Sequence, residues 1–76
     1  MEITIQKTKL KANLIKTGEF KGNKYLQIME LWKEKEEDDW RFSKKSVTFN
    51  KDSINQLYSF LEENKEEIFK HLDVED

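Results

Sequence analysis

Residues 20–32 read FKGNKYLQIMELW: an aromatic, a Lys-Gly-Asn turn signal, and a run that alternates as far as a second large aromatic. Gly-Asn between two alternating runs marks a β-hairpin. A period of two sends Leu26 and Ile28 to one face of the second strand and Tyr25, Gln27 and Met29 to the other. Upstream, Leu10, Ala12 and Leu14 alternate with Lys9, Lys11 and Asn13, and Ile3 and Ile5 alternate with Glu2, Thr4 and Gln6. These are two further half-buried antiparallel strands, and Gly18 breaks the pattern where a bulge or a close backbone approach is expected. Downstream, EKEEDD (Glu34 to Asp39) has no apolar residue and reads as a solvated turn. The segment from Trp40 to Phe49, rich in aromatic and β-branched residues, reads as a last strand.

The period then becomes helical. Asn50 is a good N-cap, Asp52 suits the positive end of the helix dipole, and Ile54, Leu57, Tyr58, Leu61, Ile68 and Leu72 recur on one stripe. One long amphipathic helix is expected, weakest at residues 62–67 (EENKEE), where charge interrupts the stripe. The fold class is therefore α+β, a curved four-stranded antiparallel sheet followed by one C-terminal helix (ββββα) covering one of its faces. Residues 1–72 form the domain, and Asp73 to Asp76 are expected to be a disordered acidic tail. Phe60 and Phe69 widen the apolar stripe of the helix. Either they broaden its contact with the sheet, or they form the seam of a homodimer.

Composition narrows the function. A chain of 76 residues without cysteine and with a single histidine, His71, offers neither a disulfide framework nor a zinc site. No metal and no cofactor is expected. No apolar run approaches the ~20 residues of a membrane span, and the polar start MEITIQKTKLK does not resemble a signal peptide. The expectation is a soluble intracellular protein. The net charge of −2 is unevenly distributed: residues 1–33 carry seven lysines against three acids (+4), and residues 34–76 carry seven bases against thirteen acids (−6). One face can therefore attract a polyanion while the molecule stays soluble. Lysines on an exposed strand face also protect edges and solubilise, so charge alone leaves both readings open.

Six of the nine aromatics lie in the strand region, interleaved with Lys21, Lys24, Lys33, Arg41, Lys44 and Lys45. Alternating rings and cations combine base stacking with phosphate neutralisation, the requirement for holding an unpaired strand without sequence preference. Phe42 and Phe49 are assigned to the core, and Phe20 and Trp32, which flank turns beside lysines, to the binding surface.

From Lys11 to about Leu61 the sequence resembles the single-stranded-DNA-binding domain of the positive cofactor four family, transcriptional coactivators with bacterial and phage relatives. Phe20-Lys21-Gly22, with Trp32 the tenth residue after the glycine and Glu30 two before the tryptophan, matches the family's hairpin. After a turn one residue longer, Lys44-Lys45-Ser46-Val47-Thr48-Phe49-Asn50 resembles its basic pair, short strand and helix-capping asparagine, and the likeness continues through Gln56-Leu57. The resemblance implies a homodimer joined through its helices, whose two curved sheets hold two antiparallel unpaired strands. It implies stacking on Phe20 and Trp32 and phosphate contacts from Lys11, Lys21, Lys44 and Lys45. Met29 and Asn23 stand where many relatives are basic, Ser46 replaces a glycine, and no proline follows Asn50, so a lower affinity than the coactivators' is expected. The absence of a Ser- and Lys-rich tail points to a minimal bacterial or phage-type member.

The expected function is sequence-tolerant binding of single-stranded DNA by a homodimer in transcription, replication or recombination, without catalysis. Expected partners are single-stranded DNA, with melted duplex and RNA as variants of it, and polymerase or replication proteins. The expected location is the cytoplasm of a bacterial or phage-infected cell, or the nucleus in a eukaryote. Two rival classes are an adaptor or inhibitor using the acidic hairpin and helix, and a nuclease using Glu36, Glu37, Asp38 and Asp39 as metal ligands. The second lacks a general base or nucleophile beside the acids.

Overall fold

A computed structural model describes residues 1–74. Its elements are β1 (Glu2–Thr8), β2 (Lys11–Phe20), β3 (Asn23–Trp32), β4 (Arg41–Phe49), α1 (Lys51–Glu63) and α2 (Lys65–His71). The four strands pair in sequence order, all antiparallel, as an open meander. The β2–β3 pairing runs without interruption from Phe20↔Asn23 to Lys11↔Trp32. Lys21 and Gly22 alone form its turn, with φ of 52° and 81°. Positive φ at both positions is the conformation whose twist matches the flanking strands. A Cβ on Gly22 would meet nothing, so Gly22→Ala should cost only the left-handed backbone penalty, about 1–2 kcal/mol. A urea-denaturation midpoint at fixed protein concentration measures it.

Paired residues of antiparallel strands share a face, so the register sorts every side chain. One face carries Ala12, Leu14, Gly18 and Phe20 of β2, Leu31, Met29, Gln27 and Tyr25 of β3, and Phe42 and Ser46 of β4. The other carries Ile3, Ile15, Ile28 and Val47 in one row across all four strands, and Leu26 beside Phe49 in the next. The buried residues among those described, Ala12, Leu14 and Leu31, all lie on the first face, with Met29 and Trp40 packed against them. Trp40, just before β4, supplies the lid that the sheet's own curvature cannot.

The helical segment differs from expectation in two ways. It is two helices, because Asn64 leaves helical geometry (φ −115°, ψ 16°) and turns its side-chain amide to the Phe60 carbonyl at 2.9 Å. The Phe60 carbonyl thus accepts from both the side chain and the backbone N–H of Asn64, the latter at 3.1 Å, and the irregularity falls within the charged stretch that interrupts the stripe. The helices also do not seal the sheet. α1 approaches β3 and β4 only, α2 approaches no strand, and neither helix contains a buried residue. α1 starts as read from the sequence: the Asn50 side chain accepts from Ser53 N at 2.9 Å, and Ser53 Oγ accepts from Asn50 N at 2.9 Å. Ile54 meets the sheet beside Thr17, Leu26 and Phe49, and the rest of the helix leads away from it.

The open shape has a measurable consequence. The radius of gyration is 14.8 Å, against about 11 Å for a compact chain of this length. Asp73 takes φ 56° and Val74 N donates to Phe69 O at 2.8 Å, which closes α2 with a left-handed cap. The remainder of the expected disordered tail, Glu75 and Asp76, lies outside the described residues.

Candidate nucleic-acid interface

Phe20 ends β2 and is 66% exposed, with the Lys21 ammonium 5.4 Å from its ring centre. The rigid two-residue turn holds ring and cation together at the hairpin tip. Trp32 ends β3 and is half-buried, with the Arg41 guanidinium 5.2 Å from its ring and Lys11 paired to it from β2. A ring framed by two cations from neighbouring strands is the arrangement a stacked base and its phosphates require. Arg41 had been one of several interleaved cations in the sequence. Its direct pairing with Trp32 is what distinguishes it.

These two clusters do not form one surface within the chain. Phe20 pairs with Asn23, and Trp32 is an odd number of residues further along β3, so the rings project from opposite faces. They stand roughly 30 Å apart along the strand at about 3.3 Å per residue. The expectation that Phe20 and Trp32 share one open side is therefore corrected: each leads its own cation–ring cluster.

Lys44 and Lys45 occupy a third position. Between Met29↔Ser46 and Leu31↔Phe42 the register shifts, so that Ser43, Lys44 and Lys45 bulge opposite Glu30. Lys45 N donates to Ser43 Oγ at 3.2 Å, which shapes the bulge, and both lysines are exposed. Bulges re-aim side chains, and this one leaves two adjacent cations exposed on the edge strand. Phe42 is 64% exposed and is not the core residue expected, because the buried cluster on its face is covered by Trp40 instead. Phe49 is half-buried beside Leu26.

The acidic turn is solvated but structured. Lys33 N donates to Leu10 O at 3.0 Å, Lys33 Nζ donates to Glu36 O at 3.0 Å and lies 4.2 Å from the Trp40 ring centre, and Lys9 meets Glu36 at 3.3 Å. The turn thus folds back on the β1–β2 connection, and Glu36 already has a cation. Among the described residues, no group of three or more His, Cys, Asp or Glu side chains is arranged to hold a metal ion. No described helix is long and apolar enough to cross a membrane.

Neither a scan of family models nor a search of curated proteins finds a match. Among solved structures, the chain is similar to the bacteriophage T5 homologue of the eukaryotic transcription coactivator PC4, a protein implicated in recombination-dependent DNA replication. The TM-score is 0.60 at 23% identity, over 93% of this chain and 83% of that one. The two proteins share a fold, the one that the resemblance of the hairpin and β4 to the positive cofactor four family implies.

Proposed function

We propose that this chain is a phage-type member of the positive cofactor four family that binds single-stranded DNA as a homodimer, without base-sequence preference and without catalysis. The observation that carries the reading is the pair of cation–ring clusters, Phe20 with Lys21 and Trp32 with Arg41 and Lys11, held on strand ends whose positions the sheet fixes. Stacking on such rings contributes about 1–3 kcal/mol per base and tolerates any base, because each has a π-face. The shared fold supports a role in replication or recombination in an infected bacterial cell.

The dimer rests on what the chain leaves uncovered. Tyr58 is 65% exposed, and with Leu61, Ile68 and Phe69 it lines an apolar groove of about 370 Å³ between the helices. The Ile3 to Val47 row on the sheet is also open, with Ile3 and Val47 both exposed. A second copy placing its helices against this surface would bury both and close the fold.

Binding of fluorescent oligo-dT across a salt series, with sedimentation of the same sample, tests the reading. Micromolar or tighter binding by a dimer is expected, with a slope of about −0.7 per neutralised phosphate and quenched indole emission. No binding at low salt overturns the nucleic-acid reading and favours an adaptor role for the acidic hairpin. Lys45→Ala should reduce the slope by about 0.7 while leaving the fold intact. An unchanged slope removes Lys45 from the contact surface.

A further inference from the structure

Because Trp32 faces away from Phe20, a strand lying on Phe20 must find its next ring on Phe20's own face, and the register puts Tyr25 there. Phe20 pairs with Asn23, and Tyr25 is the next residue of β3 on that face. The two are diagonal neighbours, about 7–8 Å apart. Across the strand, Tyr25 pairs with Gly18 and its ring covers that glycine: a Cβ there would stand 2.5 Å from the Tyr25 Oη and 2.6 Å from Cζ. The glycine that interrupts the β2 pattern is thus a seat for an aromatic ring, not a bulge. A ring already seated loses little freedom when a base stacks on it.

The surroundings of Tyr25 have the matching chemistry. An open groove of about 890 Å³ joins it to Phe20, Gln27 and Thr48, and a second of about 540 Å³ joins it to Leu26, Phe49 and Ile54. Lys51 lines both grooves, with Asp52 in the first and Glu19 in the second, and Lys21 stands beside Phe20, whereas Lys24, paired with Glu19, projects from the opposite face. Two rings and two cations, Lys21 and Lys51, lie at one end of the sheet.

We infer that Tyr25 is a third stacking residue, holding the nucleobase next to the one on Phe20, with Lys21 and Lys51 taking the flanking phosphates. The inference rests on the single-strand reading above. It gives Gly18 a role as well, since any larger residue there lifts the Tyr25 ring from its seat.

The test compares oligo-dT binding by the wild type, Tyr25→Leu and Tyr25→Phe, with circular dichroism as the check of folding. Leucine keeps apolar cover over Gly18 but has no π-face, so affinity should fall at least about five-fold with the salt slope unchanged. Phenylalanine keeps the ring and should bind as the wild type does. If the wild type binds and Tyr25→Leu binds equally well, the role of Tyr25 is overturned while the single-strand reading stands. If the wild type does not bind, the single-strand reading itself fails. A Tyr25→Phe variant as weak as Tyr25→Leu would overturn stacking. Photocrosslinking of the wild type to an oligonucleotide containing 5-iodouracil needs no variant and decides the matter if Tyr25→Leu does not fold. A crosslinked peptide carrying Tyr25 is expected, and crosslinks confined to other segments overturn the assignment.

Discussion

Phe20→Ala should weaken oligo-dT binding by about 5- to 150-fold, the range of one lost stacking contact, while leaving the fold unchanged. The ring is 66% exposed and lies outside the buried cluster, so its removal opens no cavity. The Lys21–Gly22 turn that positions it depends on backbone dihedrals and on Asn23 pairing, neither of which the substitution touches. Equilibrium titration at one salt concentration, with a thermal melt beside it, reads both quantities. A large loss of stability with binding intact would place Phe20 in a buried interface and remove it from the site. Trp32→Ala is a less clean probe, since the ring is half-buried and braces the Arg41 end of the sheet.

The largest effect on stability is expected for Leu31→Ala, a loss of about 2–5 kcal/mol. Leu31 is 4% exposed and sits between Ala12 and Phe42 in the register, within the buried cluster that Met29 and Trp40 complete. A domain of this length has a total stability of about 4–11 kcal/mol, so the change removes a large share of it. Denaturant unfolding at fixed protein concentration measures the effect. A loss below about 1 kcal/mol, the ordinary level for an uncritical site, would mean that contacts outside this cluster carry the stability instead.

Much of the architecture is legible in the chain because its causes are local. Alternation in β2 and β3, a tight hairpin around Gly22 and the Asn50 cap each follow from residues within a few positions of one another, and the structure shows all three, with the turn at Lys21-Gly22 one residue earlier than the Gly-Asn signal and Asn23 already in β3. The two-helix ending is foreshadowed by the charged stretch, but that it falls at Asn64, whose φ and ψ leave the helical region, is seen only in the structure. The identity of the core is not local. Phe42 and Trp40 have similar sequence surroundings, yet Trp40 is partly buried against the cluster while Phe42, though paired with Leu31, is 64% exposed, a difference that only the placement of β4 and the acidic turn reveals.

The candidate site divides in the same way. The amino-acid order by itself determined that rings and lysines gather around one hairpin, and that Phe20 and Trp32 end its two strands. Which rings share a face was decided by tertiary structure. Parity along β3 acquires meaning only once the turn is known to hold two residues, and that depends on Lys21 and Gly22 both adopting positive φ. The seat of Tyr25 on Gly18 likewise arises from pairing between strands, which brings together residues that no spacing rule connects. Local propensity sets what each segment becomes, whereas facing and burial depend on contacts made across the sheet.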